Sequence, residues 1–103
     1  MLLRFREKDC KLSTSMYGNR KLAIVVVDIG ADAILCVATA NYPGVEALIH
    51  AEEFLVYNDG VEEGALFALE KAGYVKRTGK VLMLPTARSA HVCITGNNLT
   101  VEP

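Results

Sequence analysis

Leu22-Ala23-Ile24-Val25-Val26-Val27, a turn at Asp28-Ile29-Gly30-Ala31-Asp32, then Ala33-Ile34-Leu35-Cys36-Val37-Ala38-Thr39-Ala40: this stretch decides the fold. β-Branched side chains dominate the first run, and they favour extended backbone. At a period of two, Leu22, Ile24 and Val26 share one face and Ala23, Val25 and Val27 the other. In the second run Ala33, Leu35 and Val37 lie on one side, with Ile34, Cys36, Ala38 and Ala40 opposite. Val81 to Leu84 is apolar on both sides again. A strand apolar on both faces is buried on both faces. The chain must therefore supply, or recruit, two coverings for its sheet.

Further elements extend outward from this stretch. Cys10 to Tyr17 precedes Gly18-Asn19, which reads as a hairpin turn into Leu22–Val27. Asn41-Tyr42-Pro43-Gly44 is a strong turn signal, and Ala47 to Tyr57 reads as a fourth strand. The pattern then predicts a helix from about Gly60 to Ala72. Asp59 is its candidate N-cap, Glu62 completes a capping-box-like pair, and Gly73 is placed to stop it in the left-handed conformation. Gly64 inside the helix costs about 1 kcal/mol relative to alanine, which points to a close contact there. Thr78-Gly79 reads as a turn, Lys80–Leu84 as a strand ended by Pro85-Thr86, and Ser89–Thr95 as the last strand before Gly96-Asn97-Asn98 turns the chain. The expectation is one α+β domain over residues 1–103. It has a mainly antiparallel sheet of five or six strands with one helix packed on one face, in the order ββββαββ.

One helix of that length spans roughly 20 Å and covers one face only. At 100° per residue, Val61, Ala65, Leu66, Ala68, Leu69 and Ala72 form its apolar face, and Phe67 falls among the charges. An exposed Phe is either a bystander or an anchor for a partner. The second sheet face has three possible covers: the sheet curling on itself, a second copy of the chain, or a ligand or protein partner. Each exposed Val or Leu forgoes about 1.5–3 kcal/mol of burial. The homodimer is the first expectation and the curled sheet the second, with Phe67, Val25 and Val27 as interface candidates.

The composition excludes several classes. The chain has 103 residues, of which 51% are hydrophobic and 22% charged, with a net charge of -1. That is no disordered chain, collagen repeat, coiled coil or strongly basic nucleic-acid module. The basic clusters Arg4, Arg6, Lys8, Lys11 and Lys76, Arg77, Lys80, Arg88 lack interleaved aromatics, so nucleic acid is not an expected partner. No signal-peptide pattern and no span of about 20 apolar residues occurs, which implies a cytoplasmic protein with no membrane partner. Cys10, Cys36 and Cys93 are odd in number and far apart, against a disulfide framework, and Cys36 reads as core.

His91 and Cys93 share one side of the last strand, with Ala90, Val92 and Ile94 expected to face the core. They are weak catalytic candidates, as base and nucleophile or as metal ligands; the alternative is the polar face of an edge strand. His50, sharing a face with Glu52, would complete a three-ligand zinc set, but no usual ligand spacing is present. Capping accounts for Asp59, Glu62 and Glu63. No phosphate-binding glycine loop occurs, and neither a cofactor nor a metal is expected.

Glu63-Gly64, Leu69-Glu70-Lys71-Ala72-Gly73-Tyr74-Val75 and Thr78-Gly79 together resemble small uncharacterised proteins carried on phages, plasmids and integron gene cassettes. The resemblance covers the helix and the following turn. It implies a prokaryotic accessory protein and carries over no activity and no functional residue. The functional expectation is a non-catalytic interaction or adaptor module acting as a homodimer. The alternatives are a small-ligand binder with a pocket between curved sheet and helix, and a thiol-dependent enzyme using Cys93 and His91.

Overall fold

Leu22–Val27 becomes a strand with a neighbour on either side, Ala33–Ala40 bends from one sheet into another, and Val81–Leu84 falls at the end of an edge strand. The computed structural model describes residues 1–100. Its strands are β1 (Leu2–Phe5), β2 (Lys8–Met16), β3 (Leu22–Asp28), β4 (Ala33–Val37), β5 (Thr39–Ala40), β6 (Phe54–Tyr57), β7 (Val75–Met83) and β8 (Ser89–Thr95), with one helix, α1 (Ala65–Lys71). All strand pairs are antiparallel. They form two four-stranded sheets, sheet A in the order β1-β2-β3-β4 and sheet B in the order β5-β6-β8-β7. The α+β class, the antiparallel pairing and the single helix agree with the sequence. The count of five or six strands and the order ββββαββ do not: six strands precede the helix and two follow it.

Each difference has a local cause. β1 escapes the pattern because its turn is made by Arg6 and Glu7, both at positive φ (52° and 62°), where Asn-Gly is usual. Long-range contacts hold that turn, since the Arg6 guanidinium donates to the carbonyls of Val61 and Glu63. The run Ala33–Ala40 divides at Ala38. Its N–H donates to Ile24 O in sheet A and its C=O accepts from Tyr57 N in sheet B, both at 2.9 Å. One bent strand thus serves both sheets, as at the corners of orthogonally packed sheets. The expected strand Ala47–Tyr57 shrinks to β6, because Gly44 (φ 88°) starts a 3-10 turn at Val45–Ala47. The expected helix also shortens. Gly60–Glu62 is a 3-10 turn, and Gly64 at φ 87° sets the start of α1. This positive φ, not a close contact, is why glycine stands there; an added Cβ would lie 3.7 Å from Phe5. Gly73 takes the expected left-handed stop at φ 81°. Thr78-Gly79 is a bulge inside β7, with register slipping between Arg77 and Val81.

The curl of the sheet gives the fold its main core. Leu22, Ile24 and Val26 of β3 meet Phe54 and Val56 of β6, Cys93 of β8 and Ala65, Leu66 and Leu69 of α1 in one cluster. α1 packs against β1 and β7, one outer strand from each sheet, and closes the roll between them. A second cluster lies on the outer face of sheet B. There Val45, with Tyr42 and Ile49, covers Ala40, Leu55, Ala90 and Val92. With the main core on their inner side and the chain's own 41–49 segment on the outer, β6 and β8 are buried on both faces. The inner face of sheet A and both faces of β6 and β8 are thus covered within the chain, whereas Val81 and Met83 of the edge strand β7 stay exposed, so that run is not buried on both faces as its sequence led one to expect.

Candidate functional site

Among the described residues no segment covers the outer face of sheet A in this way. Val25 and Val27 point outward from β3, since the alternate residues Ile24 and Val26 are in the core. Cross-strand partners on one face stand directly opposite. Val25 faces Ser13 and Val37; Val27 faces Lys11 and Ile34; Lys11 in turn faces Leu2. Ile34 and Leu2 are 66% and 68% exposed and Val37 41%, so the row is open to solvent. It is an apolar strip along β3 and β4, bordered by the hydroxyls of Ser13 and Ser15 and by Lys11.

Ile34 and Val37 join this strip through a bulge. The register runs Val26 to Cys36 and then Val27 to Ile34, so Leu35 is an extra residue. Strict alternation puts Ile34 and Val37 on opposite faces; the bulge puts both outside and turns Leu35 and Cys36 inward, where both pack on the main core. Nothing in Ala33–Val37 signals the inserted residue. Leu2 was hidden with β1.

The other candidates are dispersed. Both faces of β8 are buried. Ala90 and Val92 lie beneath the 41–49 segment, while Cys93 sits in the main core, fully inaccessible. The expected polar face is thus an inner face, with half-buried His91 opposite Val56. Cys93 Sγ donates weakly to the His91 carbonyl at 3.6 Å. Burial pushes the Cys93 thiol up to about 12, with Glu70 adding to the rise and Arg77 opposing it. A nucleophilic cysteine needs the opposite shift and access to substrate. His50 lies in the turn before β6, its N–H donating to Glu53 Oε1 (2.7 Å) and its C=O accepting from the buried Lys21 Nζ (2.6 Å). Among the described residues no three His, Cys, Asp or Glu side chains cluster as a metal site. Asp59 and Glu62 do not cap a helix with their side chains. Both accept from Arg88, at 2.7 and 2.8 Å. The Arg88 guanidinium also stacks 3.8 Å from the Tyr57 ring centroid. Phe67 is 64% exposed, as its place in the helix pattern indicates. Val61, expected on the core face, is outside at 68%, because it precedes α1 in the 3-10 turn.

The raised thiol has a consequence for stability. Between pH 9 and about 12 an unfolded Cys93 gives up its proton and the folded one keeps it. The unfolded state then binds fewer protons, so stability is intact below pH 9 and falls as pH rises through this window. At full slope one such group contributes about 1.4 kcal/mol per pH unit. Cys93→Ala is expected to flatten the decline of urea midpoints between pH 9 and 11. An unchanged slope would show that Cys93 ionises while folded.

No helix among the described residues is long and apolar enough to cross a membrane. No protein-family model, curated protein or solved structure matches the chain.

Proposed function

We propose that the protein is a non-catalytic interaction module that forms a homodimer through the outer face of sheet A. One observation carries the reading: the chain covers the outer face of sheet B with its own 41–49 segment, and leaves Val25, Val27, Ile34 and Val37 on sheet A uncovered. A two-fold interface must be complementary to itself. A neutral apolar centre on β3 and β4 meets that condition, since no like charges are forced together there, and the one cation in the row, Lys11, stands on β2 beside it. Sheets pack face to face in this way at about 10 Å.

The two other readings have less support. Phe54, Leu66, Leu69 and Val75, each at most 2% exposed, fill the space between curled sheet and helix where a ligand would sit. Cys93 is closed off and protonated at neutral pH. The resemblance of the helix region to mobile-element proteins fits a cytoplasmic prokaryotic accessory protein and adds no activity.

Val25→Lys combined with Val37→Lys tests the surface. Four like charges would then meet across the two-fold. Sedimentation should report a monomer at concentrations where the wild type is dimeric, with unchanged far-UV circular dichroism. A double variant that still dimerises would move the interface elsewhere.

A further inference from the structure

A second surface has a different chemistry. β1 is an outer strand of sheet A, at the end away from β4. Leu12 N donates to Met1 O at 2.9 Å, so the pairs 1/12, 3/10 and 5/8 exchange the hydrogen bonds with β2. The main-chain groups of Leu2 and Arg4 therefore point away from β2, along the edge. Tyr74 Oη takes the Leu2 carbonyl at 2.6 Å, leaving the Leu2 N–H and the Arg4 N–H and C=O facing outward. Beside them lies a groove of about 420 Å³ between β1 and α1, lined by Leu3, Arg4, Phe67, Ala68, Lys71 and Ala72. Ala68 and Ala72 keep the helix wall low, and Phe67 stands as an aromatic rim.

We infer that this groove takes an extended peptide with alternating apolar and acidic residues, which adds to β1 as a further strand. An edge strand beside a helix supplies main-chain bonds for affinity and side-chain pockets for specificity. The lining carries two cations and no carboxylate. Lys71 makes no ion pair among the described residues, and the Arg4–Asp9 pair is exposed at both ends, so it gives way at little cost. A second copy of β1 does not suit the slot, because two-fold pairing there would set Arg4 and Lys71 near their own duplicates. The sheet B edge on the other side of α1, β7, carries Lys76, Arg77 and Lys80 and a bulge, features that guard an edge against pairing.

The probe is a phage-displayed library of random nonapeptides panned against the full chain, followed by titration of the enriched peptide. The expected result is a consensus alternating apolar with Asp or Glu, and saturable amide shifts at Arg4, Ala68 and Ala72. Its affinity should fall at least tenfold in Lys71→Glu and in Phe67→Asp, both exposed substitutions that spare the core. Failure to enrich a consensus, a basic consensus, shifts confined to the outer face of sheet A, or unchanged affinity for Lys71→Glu would each overturn the inference. The test is independent of the dimer, since Lys71 and Phe67 lie off the Val25–Val37 strip. A monomer that binds acidic peptides keeps this inference and loses the other.

Discussion

Gly96→Ala should destabilise the protein by about 3 kcal/mol, at the upper end of ordinary overpacking effects. Gly96 follows β8 and runs over the end of α1, where its N–H donates to Tyr74 O at 2.8 Å. A methyl group there would overlap Gly73 O and lie 2.8 Å from Gly73 C and 2.9 Å from Tyr74 C. These are main-chain atoms and have no rotamer to escape into. Gly73 is itself fixed, being the left-handed stop of α1, with Asn98 N on its carbonyl at 2.9 Å. Asn98 Nδ2 also donates to Ala72 O at 2.9 Å, so the crossing satisfies the end of the helix. The control is Gly18→Ala, where no atom lies within 4 Å of the added Cβ; it should stay within about 0.5 kcal/mol of wild type. Urea midpoints at one fixed protein concentration make the comparison, because dimerisation would make them concentration-dependent. Equal midpoints for the two variants would refute the crossing.

Arg88→Met should cost about 2 kcal/mol. Arg88 gathers Asp59 and Glu62, Nε and Nη2 on the first and Nη2 on the second, over the Tyr57 ring. The Glu62 side chain is only 10% exposed, so removing its cation strands a largely buried carboxylate. Most of the loss comes from that stranding and not from the pair's own attraction. The double variant Arg88→Met/Glu62→Leu should therefore recover more than half of it. A double variant as unstable as Arg88→Met would show that lost packing on Tyr57 dominates instead.

The elements legible in the sequence are those whose backbone is set by local chemistry. Leu22–Val27 alternates, Ser89–Thr95 is bounded on both sides, and Gly73 is the one residue suited to a left-handed stop; all three stand as read. Failures came where tertiary contacts decide. The Arg6-Glu7 turn is held from across the molecule by carbonyls of the 61–63 segment. Ala38 looks like any small strand residue, yet it is the point where one strand leaves sheet A for sheet B. The segment from Gly44 to Ala51 lacks strand pairing and works as a cover, which only the position of Val45 over Leu55 and Val92 reveals.

The candidate surface was half legible for the same reason. Val25 and Val27 follow from alternation within one strand. Ile34 and Val37 depend on a bulge, which is a property of the pairing and not of either sequence alone. His91 and Cys93 do share one side of β8, as their spacing implies, but that side faces inward. Two cores, one on each face of β8, make both of its faces interior.

Native mass spectrometry of the full chain, purified without added metal or ligand, decides whether two copies pair through the outer face of sheet A. The expected result is a species of twice the 11.2 kDa chain mass with nothing else bound, converting to monomer in the Val25→Lys/Val37→Lys variant. A wild-type monomer across the micromolar range would contradict it.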